Sequence, residues 1–170
     1  MLTTTRKLTR DDNKLHNQQL ALKLIYTHGQ ISRADIARLT GLTRTTVSST
    51  ATELIEAGLV EEVGQGPSAG GKPPILLRVV ADARHTLGID LSGPLLRGAV
   101  FDLRGHILQR ASAQPAGNDD PSTLEPVFTL IDTLLAAADR PVLGLGVGLP
   151  GLIDSRQRVV LQAVNRGWRD

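Results

Sequence analysis

Between Ile31 and Leu59 the same helix punctuation occurs twice in close succession, and this repeat constrains the fold more than any other feature. Ser32 can accept a hydrogen bond from the unpaired amides that open a helix, Asp35 follows in a Ser-x-x-acid arrangement, and Ile31 and Ile36 have the spacing of a hydrophobic staple. A helix is therefore predicted to start near Arg33 and to stop at Gly41, where the lack of a Cβ permits a left-handed closing residue. The punctuation resumes at once, with Leu42 before a Thr43 cap and Val47 as the staple partner. Val47, Ala51, Leu54 and Ile55 form the inward stripe of this next helix, and Gly58 followed by Leu59 supplies its stop, with a Leu54–Leu59 contact. Upstream, Asn17 to Thr27 reads as an earlier helix with Leu20, Leu24 and Ile25 on one side and Gly29 at its end. Two short capped helices joined by a glycine-containing turn predict a helix-turn-helix.

The outward face of the last of these helices carries Arg44, Thr45, Thr46, Ser48, Ser49 and Thr52. A solvated face usually carries Glu and Lys. Short hydroxyls instead let the backbone approach phosphates and base edges, and an arginine can donate to a phosphate or a guanine. Leu59 to Val63 and Ile75 to Val80 read as two strands, and the loop from Gly64 to Pro74 between them forms a hairpin tip with Lys72 suited to a groove or backbone contact. The predicted fold is a winged helix-turn-helix, mainly α with a β wing, whose partner is double-stranded DNA. A non-catalytic protein-interaction module is the alternative, with Lys72 then an ordinary loop residue.

Composition narrows the classes further. Aromatic residues are 2% of the 170, which disfavours a stacking platform for RNA or single strands. Up to His85 there are 11 Lys and Arg against 8 Asp and Glu, and after it 8 against 9, so the basic excess lies in the first half. No cysteine is present, so disulfides, thiolate metal sites and cysteine nucleophiles are excluded. Met1 to Asp12 has no apolar run, which excludes a signal peptide there; no membrane partner is expected and the expected compartment is the cytoplasm. The four histidines, His16, His28, His85 and His106, lack metal-ligand spacing and read as isolated surface residues, so no metal and no cofactor is expected.

After a junction at residues 81–85 the pattern becomes extended. His85 to Leu91, Leu95 to Asp102 and Ile107 to Ala113 read as strands, with Asp102-Leu103-Arg104-Gly105 as a turn. Beyond the polar connection Gln114 to Asp120, a helix is predicted with Asp120 as cap and Pro121 in its first position, and with Leu124, Val127, Ile131, Leu134, Leu135 and Ala138 as its apolar stripe. Val142 to Val147 reads as a buried strand followed by the turn Gly148-Leu149-Pro150-Gly151.

Three groups of residues carry a family resemblance: Gly88-Ile89-Asp90-Leu91-Ser92-Gly93 with Asp102-Leu103-Arg104-Gly105, the run from Gly146 to Asp154, and Asn165-Arg166-Gly167-Trp168. Together they resemble the ROK family of bacterial repressors and sugar kinases, and Ile31-Ser32-Arg33 with the Gly70-Gly71-Lys72-Pro73-Pro74 wing resembles its regulator branch. The resemblance implies an arm (1–16), a winged helix-turn-helix (17–80), the junction (81–85) and the first, incomplete lobe of an α/β actin-like, ribonuclease-H-like sugar-sensor domain (86–170). It implies a transcriptional regulator, a repressor of carbohydrate-metabolism genes responding to a sugar or sugar phosphate, with a homodimer among its expected states. Gly148, Pro150, Gly151 and Asn165 resemble the near wall of the effector cleft, whose opposite wall is not among these residues, so this chain alone is not expected to sense sugar. The alternative is an ATP-dependent sugar kinase. Against it, the kinases' Asp-x-Gly-Gly-Thr phosphate loop is here Asp90-Leu91-Ser92-Gly93-Pro94, where proline removes a hydroxyl and a backbone N–H. The family's catalytic-base motif, its Glu-x-Gly-His sugar contacts and its Cys-rich zinc motif have no counterpart, so no catalytic residue is expected.

Overall fold

The computed structural model describes residues 9–67, 70–115, 124–154, 156–157, 159–163 and 168–169. They fall into two compact units, Met1–Val80 and Ala81–Asp170.

The first unit runs α1 (Arg10–His28), β1 (Ile31–Ser32), α2 (Arg33–Thr40), α3 (Arg44–Glu56), β2 (Val60–Gln65) and β3 (Ile75–Val79). The paired caps act as the sequence implies. Ser32 Oγ accepts from the Asp35 N–H at 3.1 Å and Thr43 Oγ1 from the Thr46 N–H at 3.1 Å. Gly41 closes α2 at φ 72°, ψ 4°, a left-handed conformation that a side chain would strain. At the end of α3, Leu59 N–H reaches Leu54 O at 3.0 Å and Gly58 N–H reaches Ile55 O at 2.9 Å, the paired bonds of a Schellman stop.

The start of α1 corrects the sequence reading. The helix begins at Arg10, not Asn17, because Thr9 and Asp12 form a reciprocal capping box, so residues 10–16 of the expected arm are helical. Lys14 Nζ lies 2.8 Å from Glu53 Oε1 and Gln18 Nε2 donates to Glu53 Oε2 at 2.7 Å, joining this early part of α1 to α3. The strands form an antiparallel sheet in the order β1-β3-β2, with Ile31 opposite Leu77 and Val60 opposite Val79. Ile25, Ile31, Ile36, Val47, Ala51, Leu54, Val60, Leu77 and Val79 are buried. Each large aliphatic among them contributes about 1.5–3 kcal/mol relative to exposure.

The second unit opens with a 3-10 turn at Ala81–Ala83 and continues β4 (His85–Asp90), β5 (Leu96–Phe101), β6 (Ile107–Ala113), α4 (Glu125–Ala137) and β7 (Val142–Gly148). These strands form one mixed sheet in the order β6-β5-β4-β7, antiparallel except for the parallel β4–β7 pair that α4 connects from β6. Leu87, Ile89, Leu91, Leu96 and Val100 pack in one core with Val127, Leu130 and Leu134 of α4. Gly98 permits this approach, since a Cβ there would lie 2.5 Å from Leu134 Cδ1. Three further strands, β8 (Leu152–Asp154), β9 (Val159–Ala163) and β10 (Trp168–Arg169), form an antiparallel sheet in the order β10-β9-β8.

Two expectations for this unit are corrected. The buried stripe of α4 is Val127, Leu130 and Leu134, with Ile131 and Ala138 at its margin, whereas Leu124 and Leu135 are 47% and 46% exposed. The expected cap at Asp120 and Pro121 lies outside the described residues; the described helix starts at Glu125. Strand β7 is not buried: among the described residues it forms the sheet edge, with Leu143, Leu145 and Val147 exposed.

Candidate nucleic-acid interface

The start of α3 is electrostatically unlike the start of α2. Asp35 occupies the first turn of α2, where hydrogen bonds from Ser32 and then Arg38 hold its carboxyl below the usual range. The first turn of α3 has no acidic residue and begins with Arg44. The positive end of its peptide dipoles therefore remains available to an outside anion. The first carboxylate along α3 is Glu53, and hydrogen bonds from Lys14 and then Gln18 hold it ionised below its ordinary range.

The six predicted residues divide by their hydrogen bonding. Arg44, Thr45, Ser48, Ser49 and Thr52 are exposed, and Thr46 is half-buried. The Thr46 hydroxyl pairs with Thr43 Oγ1 at 2.9 Å, and Ser49 Oγ donates to the Thr46 carbonyl at 2.9 Å. Both hydroxyls are thus engaged within the helix. Arg44, Thr45, Ser48 and Thr52 have no such partner among the described residues, and the four-residue spacing of 44, 48 and 52 aligns three of them in one stripe. Three of the four unengaged donors therefore form one row running from the N-terminal end of α3, with Thr45 beside its start.

The wing is the β2–β3 hairpin, closed at its root by Gly66 N–H to Pro74 O at 2.8 Å. Arg33 Nη2 contacts Glu62 Oε1 at 2.7 Å, joining the start of α2 to β2. Arg78 pairs with Glu61 directly across the strands at 2.7 Å. Both arginines are thereby neutralised, while Lys72 on the tip is exposed without a partner among the described residues. Ser68 and Ala69 lie outside the described residues.

In the second unit the predicted effector residues follow the carboxyl end of β7. Gly148 and Gly151 are exposed and Pro150 is half-buried; Asn165 lies outside the described residues. Gly148 pairs with Asp90 at the end of β4, and Gly148 O accepts from Leu91 N–H at 2.9 Å. Asp90 Oδ1 in turn accepts from the Ser92 N–H at 2.9 Å and its hydroxyl at 2.5 Å. These residues therefore lie at the carboxyl end of the parallel β4–β7 pair.

His85 corrects the surface reading, whereas His16, His28 and His106 are exposed as expected. His85 is 1% exposed, with Nε2 at 3.0 Å from Asp82 Oδ1 and 3.7 Å from Asp139 Oδ1. His106 is exposed but contacts Asp102 Oδ2 through Nδ1 at 2.8 Å. Burial pushes Asp102 up, yet hydrogen bonds from the His106 ring and the backbone N–H groups of His106 and Arg104 outweigh it and hold the carboxyl low. The Asp82–His85 spacing of three residues was the only sequence signal for the first cluster, and Asp139 is remote in sequence.

Comparison with known proteins places both units. The model of the MarR family matches residues 16–68 and that of the ROK family matches residues 86–170. A putative xylose repressor of Caldicellulosiruptor is 36% identical over 158 residues, 91% of this chain and 40% of the relative. The xylose repressor of Bacillus spizizenii is 35% identical over 157 residues, 91% of this chain and 41% of its own length. The crystal structure of a ROK family transcriptional regulator, a homolog of the E. coli MLC protein, superposes with a TM-score of 0.69 at 26% identity, over 93% of this chain and 41% of that one. The chain thus spans about two fifths of the length of these relatives. With a winged helix followed by a mixed α/β lobe, and a family match covering its second half, the chain belongs to the ROK family.

Proposed function

We propose that this chain binds double-stranded DNA as the operator-reading domain and first sensor lobe of a transcriptional repressor of carbohydrate-metabolism genes. The observation that carries the reading is the acid-free first turn of α3, with Arg44, Thr45, Ser48 and Thr52 unengaged along one side and Lys72 on the wing. Arg44 reads a base edge or anchors a phosphate, the hydroxyls make shorter contacts, and Lys72 holds the backbone. A homodimer would place two α3 helices in successive major-groove half-sites, about 34–36 Å apart. Such a protein works in the cytoplasm, where its DNA is.

The names of the relatives favour a pentose such as xylose as the effector of the whole protein, with Gly148, Pro150, Gly151 and Asn165 on one wall of its cleft. The reading is also non-enzymatic: Pro94 interrupts the phosphate loop.

Fluorescence anisotropy with duplex DNA across a salt series tests the proposal. Affinity should fall steeply with salt, and Lys72→Ala should weaken all sequences alike and reduce the log–log slope by about 1. No binding at low salt would favour the protein-interaction alternative. Hexose-dependent ADP release that is lost in Asp90→Asn would favour the kinase.

A further inference from the structure

The turn that opens the second unit carries side chains that DNA binding does not use. Asp82 lies in the 3-10 turn, His85 begins β4, and Asp139 lies in the connection from α4 to β7. Their three donor atoms all fall within 4.8 Å of one another. The backbone around them is tied together: His85 N–H donates to Pro141 O at 3.1 Å, Arg140 Nε to Asp82 O at 3.2 Å, and Leu103 N–H to Ala81 O at 2.9 Å.

We propose that Asp82, His85 and Asp139 form a binding site for a divalent transition-metal ion of the Zn2+ type, with water completing the coordination. Tetrahedral zinc with bonds of about 2.1 Å places neighbouring ligand atoms about 3.4 Å apart. The two separations from His85 Nε2, 3.0 and 3.7 Å, bracket that distance, so small rotations of two exposed carboxylates are enough to admit the ion. One imidazole nitrogen with two carboxylate oxygens suits zinc and its neighbours, whereas calcium and magnesium take oxygen donors.

The surroundings of the cluster favour the same ligand. Two carboxylates face one guanidinium, leaving a net negative charge for a cation to offset. Arg140 Nη2 lies 3.1 Å from Asp82 Oδ2, and so holds the carboxylate with its other oxygen, Oδ1, beside His85 Nε2. His85 Nδ1 is buried with no hydrogen-bond partner among the described residues. A metal ion at Nε2 takes the place of the His85–Asp82 hydrogen bond, and the ring proton then sits on Nδ1. A buried Nδ1–H without an acceptor is costly, which makes this a weaker site than one whose histidine has a second partner. Occupancy would cross-link the start of the second unit to the strand that ends at Gly148.

Titrating the metal-free chain with Zn2+ in competition with a chromophoric chelator tests the site, with Co2+ absorption reporting the ligand geometry. One equivalent should bind per chain. Asp139→Asn, at a side chain 77% exposed, should weaken binding about tenfold or more while leaving the circular dichroism unchanged, and His106→Gln should have no effect. Saturating Zn2+ should raise the melting temperature of the wild type and not of Asp139→Asn. Absence of stoichiometric binding at about a hundred micromolar, or equal binding by Asp139→Asn, would overturn the proposal.

Discussion

The two units have similar lengths but treat their apolar residues differently. Among the described residues, the large exposed hydrophobics of the first unit are Leu15, Tyr26, Leu39 and Ile75, scattered over separate elements. In the second unit they include Leu124, Phe128 and Leu135 on α4, Leu143, Leu145 and Val147 on β7, and Leu152, Ile153 and Leu161 on the strands after it. A winged helix closes its core with three helices and a three-stranded sheet. The mixed sheet ends at β7, whose outer backbone edge and flanking apolar groups have no cover among the described residues. Coverage within the unit, more than apolar content, is therefore what distinguishes a self-sufficient fold from one that needs a partner.

The largest effects should come from core truncations that separate the units. Leu77→Ala, at a fully buried position, should cost about 2–5 kcal/mol of first-unit stability and weaken DNA binding with it. Leu134→Ala should destabilise the second unit by a similar amount while changing DNA affinity by no more than about twofold. Urea melts of both variants, each paired with a DNA titration, check this; equal losses of DNA affinity would break the division.

Smaller effects should follow from charging the open edge. Leu145→Lys, on a strand with no charged residue, should reduce self-association in sedimentation velocity and change stability by about 0.5 kcal/mol or less. Unchanged association would mean that β7 is not the surface involved. The smallest shift is in pH dependence. Because Asp102 is held low in the folded state, its stabilisation is present above its ordinary value of about 3.9 and is lost as pH falls through the lower folded value. Asp102→Asn should therefore be less stable than wild type at neutral pH, and the gap should narrow on acidification below about pH 4 in pH-dependent thermal melts.

The same contrast explains what could be read in the sequence. Capping is chemistry between residues three or four apart, so Ser32, Gly41, Thr43 and Gly58 mark α2 and α3 almost to the residue. The start of α1 was missed because the Thr9–Asp12 box precedes a stretch with little apolar periodicity, where Leu15 is exposed. Strand β7 is continuously apolar, which describes its composition and not its neighbours; burial depends on what lies beside it. In α4, apolar residues surround much of the helix, so the stripe containing Leu130 could not be told from the one containing Leu135. The donor row on α3 was legible as residue types, but the engagement of Thr46 and Ser49 depends on rotamers that periodicity does not specify.

The most direct measurement compares duplex-DNA affinity for wild type, Arg44→Ala and Ser49→Ala at one salt concentration. The donor row on α3 predicts a loss of about 1–3 kcal/mol for Arg44→Ala, and little change for Ser49→Ala, whose hydroxyl already donates to Thr46. Unchanged affinity for Arg44→Ala, or a larger loss for Ser49→Ala, would contradict the assignment of α3 as the reading helix.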